Sequence, residues 1–341
     1  MCVSIAYTQT AGVEFPKDRL RQGQKQVPQR FLRIVRIRPN LLDMKHLATV
    51  ILLSVLALLA GSWAARAAAD PFPPIRVASS IPPLGALVRV VGGDLVQVQV
   101  LLPPGASPHG YEPGPEAIRN LARAEVHFVI GRGLDGWAES LARGANPDAR
   151  IERLGQSLPG PEPPADPDDV QGDPHVWLDP VKAAAMVLRI GEVLVSLRPG
   201  CADTLHRQTA AAVEQLHSLD KLCGERLAPI REVPFVAFHG GLNHLVARYG
   251  LRQVGVLEPF PGREPSPKYL KKIIARIRET GARVVFAEPQ LSARLAEVVA
   301  RESGVPVVEI DPIGGLPGRM TYDELIRSDL DVLTRALGAD R

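Results

Sequence analysis

The chain has 341 residues, 45% of them hydrophobic and 23% charged, which is enough for two domains with cores of their own. The formal net charge of +3 conceals a split. Residues 1–69 hold 10 basic and 3 acidic groups, leaving 30 against 34 and a net of −4 in the remainder. With no basic stripe interleaved with aromatics, a nucleic-acid partner is excluded.

Met44-Lys45-His46 precedes the apolar run Leu47 to Ala60, and Ala67-Ala68-Ala69 supplies small residues for cleavage ahead of Asp70. Residues 44–69 are expected to be a signal peptide, because the apolar run is short for a spanning helix of about 20 residues. Translation is expected to begin at Met44, with the arginine-rich residues 1–43 as an extension outside the protein. Two cysteines follow the cleavage point, Cys201 and Cys223. If one helix separates them they stand about 33 Å apart, beyond disulfide reach, so both are expected as thiols.

Ile75 to Ser79 reads as a strand, and Pro82-Pro83 opens a helix through Val91 that ends at Gly92-Gly93. Leu95 to Val100 alternates apolar and polar residues, a second strand. Pro115 to Ala124 is a short helix, Val126 to Ile130 a third strand, and a helix surrounds Trp137 to Arg143. Residues 155–172, rich in Pro, Asp and Gly, form an exposed acidic loop. Helices run from Val181 to Leu197 and from Ala202 to Leu227, the second broken near Gly224.

The grammar then repeats: strand 234–238, helix Leu242 to Arg248, strand Arg252 to Leu257, and Ser266 capping a helix to Thr280. Strand Ala282 to Ala287, helix Leu291 to Ser303, strand 305–310 and helix Tyr322 to Leu337 complete it. Alternating elements predict an α/β fold of two lobes, each a parallel sheet flanked by helices. The expected boundaries are a first lobe over 70–200, a long rigid linking helix over 201–230, and a second lobe over 231–341.

Four potential metal ligands fall at the ends or turns of separate elements. His109 lies in Pro108-His109-Gly110, and Asp173-Pro174-His175 displays His175 on a rigid, exposed loop. His239 and Asp311 each close an apolar strand, where parallel sheets bind ligands. Three imidazoles and a carboxylate suit Zn²⁺ better than Mg²⁺ or Ca²⁺, which take more oxygens. The same set could form a catalytic zinc centre if one position held water beside a general base. No HExxH helix is present, since His239 and His244 lack the spacing and the glutamate. His244 reads as structural, His127 as packed in a strand, and His206 and His217 as solvated. Glu288, at a strand end, is a candidate to hold His239 or Asp311 by hydrogen bonding, whereas Glu112 reads as exposed.

Leu101-Leu102-Pro103-Pro104-Gly105 leading to Pro108-His109-Gly110-Tyr111-Glu112-Pro113, then Asp173 to Pro180, Phe238-His239, Ala287-Glu288-Pro289 and Ile310-Asp311-Pro312 occur in order over most of the chain. On these motifs it resembles the solute-binding proteins of zinc and manganese ABC importers, especially the zinc-binding branch. The resemblance implies metal ligands His109, His175, His239 and Asp311 between two lobes, and a partner permease in the inner membrane driven by a cytoplasmic ATPase. It implies a monomeric, non-enzymatic protein. Zn²⁺ is favoured over Mn²⁺, because manganese members tend to carry glutamate where this chain has His239; a secreted zinc hydrolase is the alternative from another class. Many zinc members have a histidine-rich loop, but residues 155–172 contain no histidine, and no lipid-attachment cysteine lies near Ala69. A soluble periplasmic form without metal scavenging by that loop is therefore expected.

Overall fold

Short apolar runs that cannot satisfy their backbone groups alone pair into two parallel sheets. In the first, β1 (Ile75–Ser79), β2 (Val96–Val100), β3 (Val126–Val129) and β4 (Arg150–Arg153) lie in the order β2-β1-β3-β4. In the second, β5 (Phe235–Ala237), β6 (Gln253–Val256), β7 (Val285–Ala287) and β8 (Val307–Glu309) repeat that order as β6-β5-β7-β8. Of the central strands, β3, β5 and β7 are buried at every position and β1 at all but Arg76, as sheets covered on both faces require. Each sheet reverses its winding between its first and third strands, which opens a crevice at their carboxyl ends.

This computed structural model describes Thr49, Ile51, Ser54 and residues 72–114, 121–164, 172–259 and 262–338. Nearly all of the expected extension and signal peptide, the start of the helix expected from Pro115, and the middle of the acidic loop lie outside the described residues. Met1–Ala69 and Asp70–Arg341 are separate units, and the two sheets belong to the second. Among the described residues no helix is long and apolar enough to cross a membrane.

The first sheet carries α1 (Pro82–Gly92), α2 (Gly136–Ala145) and α3 (Pro180–Leu197). The 26-residue α4 (Ala202–Leu227) then leads out of it. Its buried stripe, Leu205, Thr209, Ala212, Leu216, Leu219, Cys223 and Leu227, recurs every three or four residues. One face of α4 therefore packs along α1 and α3. The second sheet carries α5 (Asn243–Tyr249), α6 (Pro267–Thr280), α7 (Arg294–Ser303) and α8 (Tyr322–Gly338). The last of these returns to pack on α4 and on α1. One apolar core accordingly runs from Ile75 and Phe128 through Leu216 to Phe286 and Leu333.

Several expectations change. The helix expected to break near Gly224 is continuous, because the buried stripe on either side outweighs the roughly 1 kcal/mol a helical glycine costs. Strand β4 was not anticipated. It is an edge strand whose Arg-Ile-Glu-Arg sequence offers one apolar residue, so it lacks an apolar signature. Strands β7 and β8 are three residues each, shorter than the apolar runs containing them, and α7 begins at Arg294 rather than Leu291. Cys201 and Cys223 stand at opposite ends of α4, too far apart to bridge each other.

Candidate metal centre

Three loops set the site. Pro108 opens a single 3₁₀ turn, Pro108–Gly110, and Trp137 Nε1 donates to its carbonyl at 3.0 Å, pinning His109. His175 precedes the 3₁₀ turn Val176–Leu178, which Asp179 joins to α3 by accepting the Val181 N–H at 2.9 Å. His239 begins the turn Gly240–Leu242 just past β5. A Cβ on Gly241 would come within 2.8 Å of the His239 ring, so glycine is needed there for close approach.

The three rings converge. Nε2 of His175 lies 3.1 Å from Nε2 of His109 and 3.1 Å from Nε2 of His239, and one nitrogen from each ring lies within 4.8 Å of the others. On the far side, His175 Nδ1–H donates to Asp173 Oδ1 at 2.8 Å, and His239 Nδ1–H donates to Glu288 Oε1. A carboxylate can only accept, so each Nδ1 carries the proton and each Nε2 turns a lone pair inward. Lone pairs facing at 3.1 Å repel unless something positive lies between them. Two nitrogens bound to tetrahedral zinc at about 2.0–2.1 Å stand about 3.3 Å apart, close to this spacing. The cavity they line, with Gln290, Leu291 and Ile313 among its walls, measures 10 Å³, room for about one water-sized sphere.

Electrostatics match the geometry. Burial, reinforced by the neighbouring His175 and His239, pushes His109 down to about 2, so it stays neutral. Burial also acts against a charge on His239, but the Glu288 carboxylate outweighs it and raises the imidazole above its ordinary 6.5. Burial alone would lift Asp173, yet the His175 ring and its N–H hold the carboxyl well below the usual range.

The expectation of a displayed His175 on an exposed loop is not met: the residue is buried. It is 3% exposed, because the second lobe covers the loop: Asn243 Nδ2 donates to Asp173 Oδ2 at 2.9 Å, and His244 Nε2 donates to the Asp173 carbonyl at 3.0 Å. Trp177 Nε1 crosses to the Pro312 carbonyl at 2.7 Å, and Tyr322 OH returns to the Trp177 carbonyl at 2.6 Å.

Asp311 lies outside the imidazole set. Its Oδ1 accepts Gln290 Nε2 at 2.6 Å and the Ile313 and Gly314 N–H groups at 3.1 and 3.0 Å, while Oδ2 lies 3.0 Å from Arg319 Nη1. The turn holding it uses Gly314 and Gly315 at φ +66° and +82°, conformations that disfavour side chains. Beside it Asp329 is fully buried, and burial followed by the Asp311 charge pushes its carboxyl well above the ordinary range.

Among the described residues, the remaining histidines contribute no nitrogen to the cluster. His206 and His217 are exposed on α4, His127 is buried in β3, and His244 anchors Asp173. Glu112 is exposed. The acidic loop is not merely solvated, since Glu162 pairs with the fully buried Lys182 and with Arg132, whose Nη1 also donates to the Asp173 carbonyl at 3.1 Å. Asp173, Gln290 and Arg319 were not singled out as site residues from sequence. Only Asp173 carried a signal, its place two residues before His175.

Residues 77–336 match the family model described as ZnuA, zinc-uptake complex component A, periplasmic. The chain is 29% identical over 306 residues to the high-affinity zinc uptake system protein ZnuA of Paracoccus denitrificans, covering 78% of this chain and 92% of that one. It is 28% identical to the zinc-binding lipoprotein AdcA of Streptococcus pneumoniae, covering 71% of this chain; it spans about half the length of the AdcA relatives it matches. A solved ZnuA deletion mutant with zinc bound superposes at a TM-score of 0.71 with 28% identity, covering 79% of this chain and all of that one. The Mn²⁺ complex of FpvC from Pseudomonas aeruginosa does so at 0.69 with 27% identity, covering 78% and 99%. With the match extending over most of both lobes, the chain belongs to the ZnuA family of periplasmic zinc-uptake complex components.

Proposed function

We propose that this protein captures Zn²⁺ between its two lobes in the periplasm, after removal of the signal peptide at 44–69, and delivers it to an inner-membrane permease driven by a cytoplasmic ATPase. The observation that carries the reading is the convergence of three imidazoles on one point, with the Nε2 lone pairs of His175 and His239 turned inward by a carboxylate on the opposite ring nitrogen. His109, His175 and His239 are the nitrogen ligands, and Asp311 supplies an oxygen through Oδ2 when that atom leaves Arg319. Relatives named for zinc binding and zinc uptake support the metal assignment. Nitrogen-rich coordination favours zinc over the oxygen sites that Mn²⁺ prefers, although FpvC binds Mn²⁺ and the Yersinia pestis relative YfeA is named for iron. The cavity of 10 Å³ is of a size to hold a single ion.

Calorimetric titration of metal-stripped protein tests the proposal. One Zn²⁺ per chain is expected, and His175→Ala should weaken it at least about a hundredfold, more than the loss of a supporting residue would. Equal affinity in the variant contradicts the ligand assignment.

A further inference from the structure

The two oxygens of Asp311 are held unequally. Three donors converge on Oδ1, from Gln290 Nε2, Ile313 N and Gly314 N, which saturates that oxygen. Oδ2 is buried and accepts no hydrogen bond among the described residues, with Arg319 Nη1 3.0 Å away as an ion-pair partner; Arg319 is itself held, with Nε donating to Ser328 Oγ at 2.8 Å and its backbone closing the turn through Gly315 and Leu316. Gln290 is oriented by the same logic. An ionised carboxylate accepts only, so the amide must turn Nε2 toward Asp311. Its Oε1 is consequently left buried with no hydrogen-bond partner among the described residues, on a side chain lining the three-imidazole cavity.

From this arrangement we infer that Gln290 and Arg319 are specificity-determining residues of the metal site. They limit Asp311 to one available oxygen and so keep the coordination number low. The inference rests on the proposed metal-capturing function and deepens it. Three nitrogens and one oxygen complete a tetrahedron, which suits Zn²⁺. Mn²⁺ favours octahedral, oxygen-rich sites, and a bidentate carboxylate is the simplest way for this set to approach one. With Oδ1 occupied by three donors, bidentate binding by Asp311 requires the cradle to break. Gln290 Oε1 is left as a single buried acceptor on a side chain that lines the imidazole cavity. Arg319 opposes the approach of any cation until Oδ2 turns away from it, so its hold on Asp311 raises the threshold for weakly bound metals first.

The test is competition between Zn²⁺ and Mn²⁺ for the full metal-stripped chain carrying Arg319→Lys, Ser328→Ala or Gln290→Ala, with the visible spectrum of the Co²⁺-loaded protein as an independent readout. Ser328→Ala loosens Arg319 without touching the site and is the variant least liable to misfold. The expected result is a fall in the preference for Zn²⁺ over Mn²⁺ of roughly tenfold or more in Gln290→Ala and Arg319→Lys, the range for loss of residues that support metal ligands. A smaller fall is expected in Ser328→Ala, and the Co²⁺ bands should weaken as four-coordination gives way to higher coordination. Unchanged preference and an unchanged spectrum in folded Ser328→Ala and Gln290→Ala overturn the inference. Failure of the unaltered chain to bind Zn²⁺ at all would instead count against the capture function, so the two are told apart.

Discussion

The proton on each Nδ1 decides what the opposite nitrogen can do. Glu288 fixes the His239 tautomer but also raises the affinity of that ring for a second proton, so protons and metal compete for Nε2. His109, held at about 2, does not compete in the same range. The folded ring of His239 is raised above 6.5, so zinc affinity should begin to fall from above pH 6.5 as pH drops. Glu288→Gln should shift that fall to lower pH while weakening binding about 10–100-fold at neutral pH. Zinc titrations at several pH values check this, and an identical pH profile in the variant would show that Glu288 does not tune the ring. Gly241→Ala should also weaken zinc binding, because its Cβ would meet the His239 Cε1 at 2.8 Å and push the ring from the cluster; unchanged affinity would mean that the loop yields freely. The imidazoles were legible in the sequence because each closes an element beside a proline or glycine. Of the supporting residues Glu288 was legible too, as a carboxylate at a strand end, whereas Gln290 and Arg319 were not, since they reach Asp311 only after the second lobe has folded.

At the scale of elements, α3 and the loop before it carry His175. Lys182 on α3 is fully buried and its charge is met by Glu162, which is about half exposed. Burial by itself would raise Glu162, but Arg132 and Lys182 dominate and lower it from 4.5 to about 2. A depressed folded value means that the stabilisation is fully present above about pH 4.5 and is lost as pH falls toward 2. Glu162→Gln should destabilise at neutral pH by less than the 3–5 kcal/mol of a fully buried pair, since its own side chain is solvated. It should also flatten the loss of stability between pH 4.5 and 2 in urea unfolding. An unaltered acid profile would separate the loop from the fold. Trp177 is the corresponding tie between lobes. Trp177→Phe leaves the Pro312 carbonyl without its donor, costing about 1–3 kcal/mol, and calorimetric melting should show the loss. The motif around Trp177 could be read from sequence as a rigid loop, but its burial could not, because burial is conferred by Asn243, Pro312 and Tyr322 from distant positions.

Over the whole molecule, two copies of one strand order are joined by α4 and sewn together by α8, which leaves the second lobe to pack against the first. The repeated β/α alternation made the parallel sheets and the long helix legible. What it left hidden was the edge strand β4, whose charges resemble a loop, and an apolar core passing through both lobes, which periodicity within one element cannot reveal. That shared core favours small adjustments at the site, such as rotation of Asp311 away from Arg319, over wide opening of the lobes. X-ray absorption at the zinc edge, on protein loaded with one Zn²⁺ per chain, tests the central claim most directly. Three imidazole nitrogens and one oxygen are expected at about 2.0–2.1 Å, and a shell lacking those three imidazoles, or one containing sulfur, would rule out this ligand set.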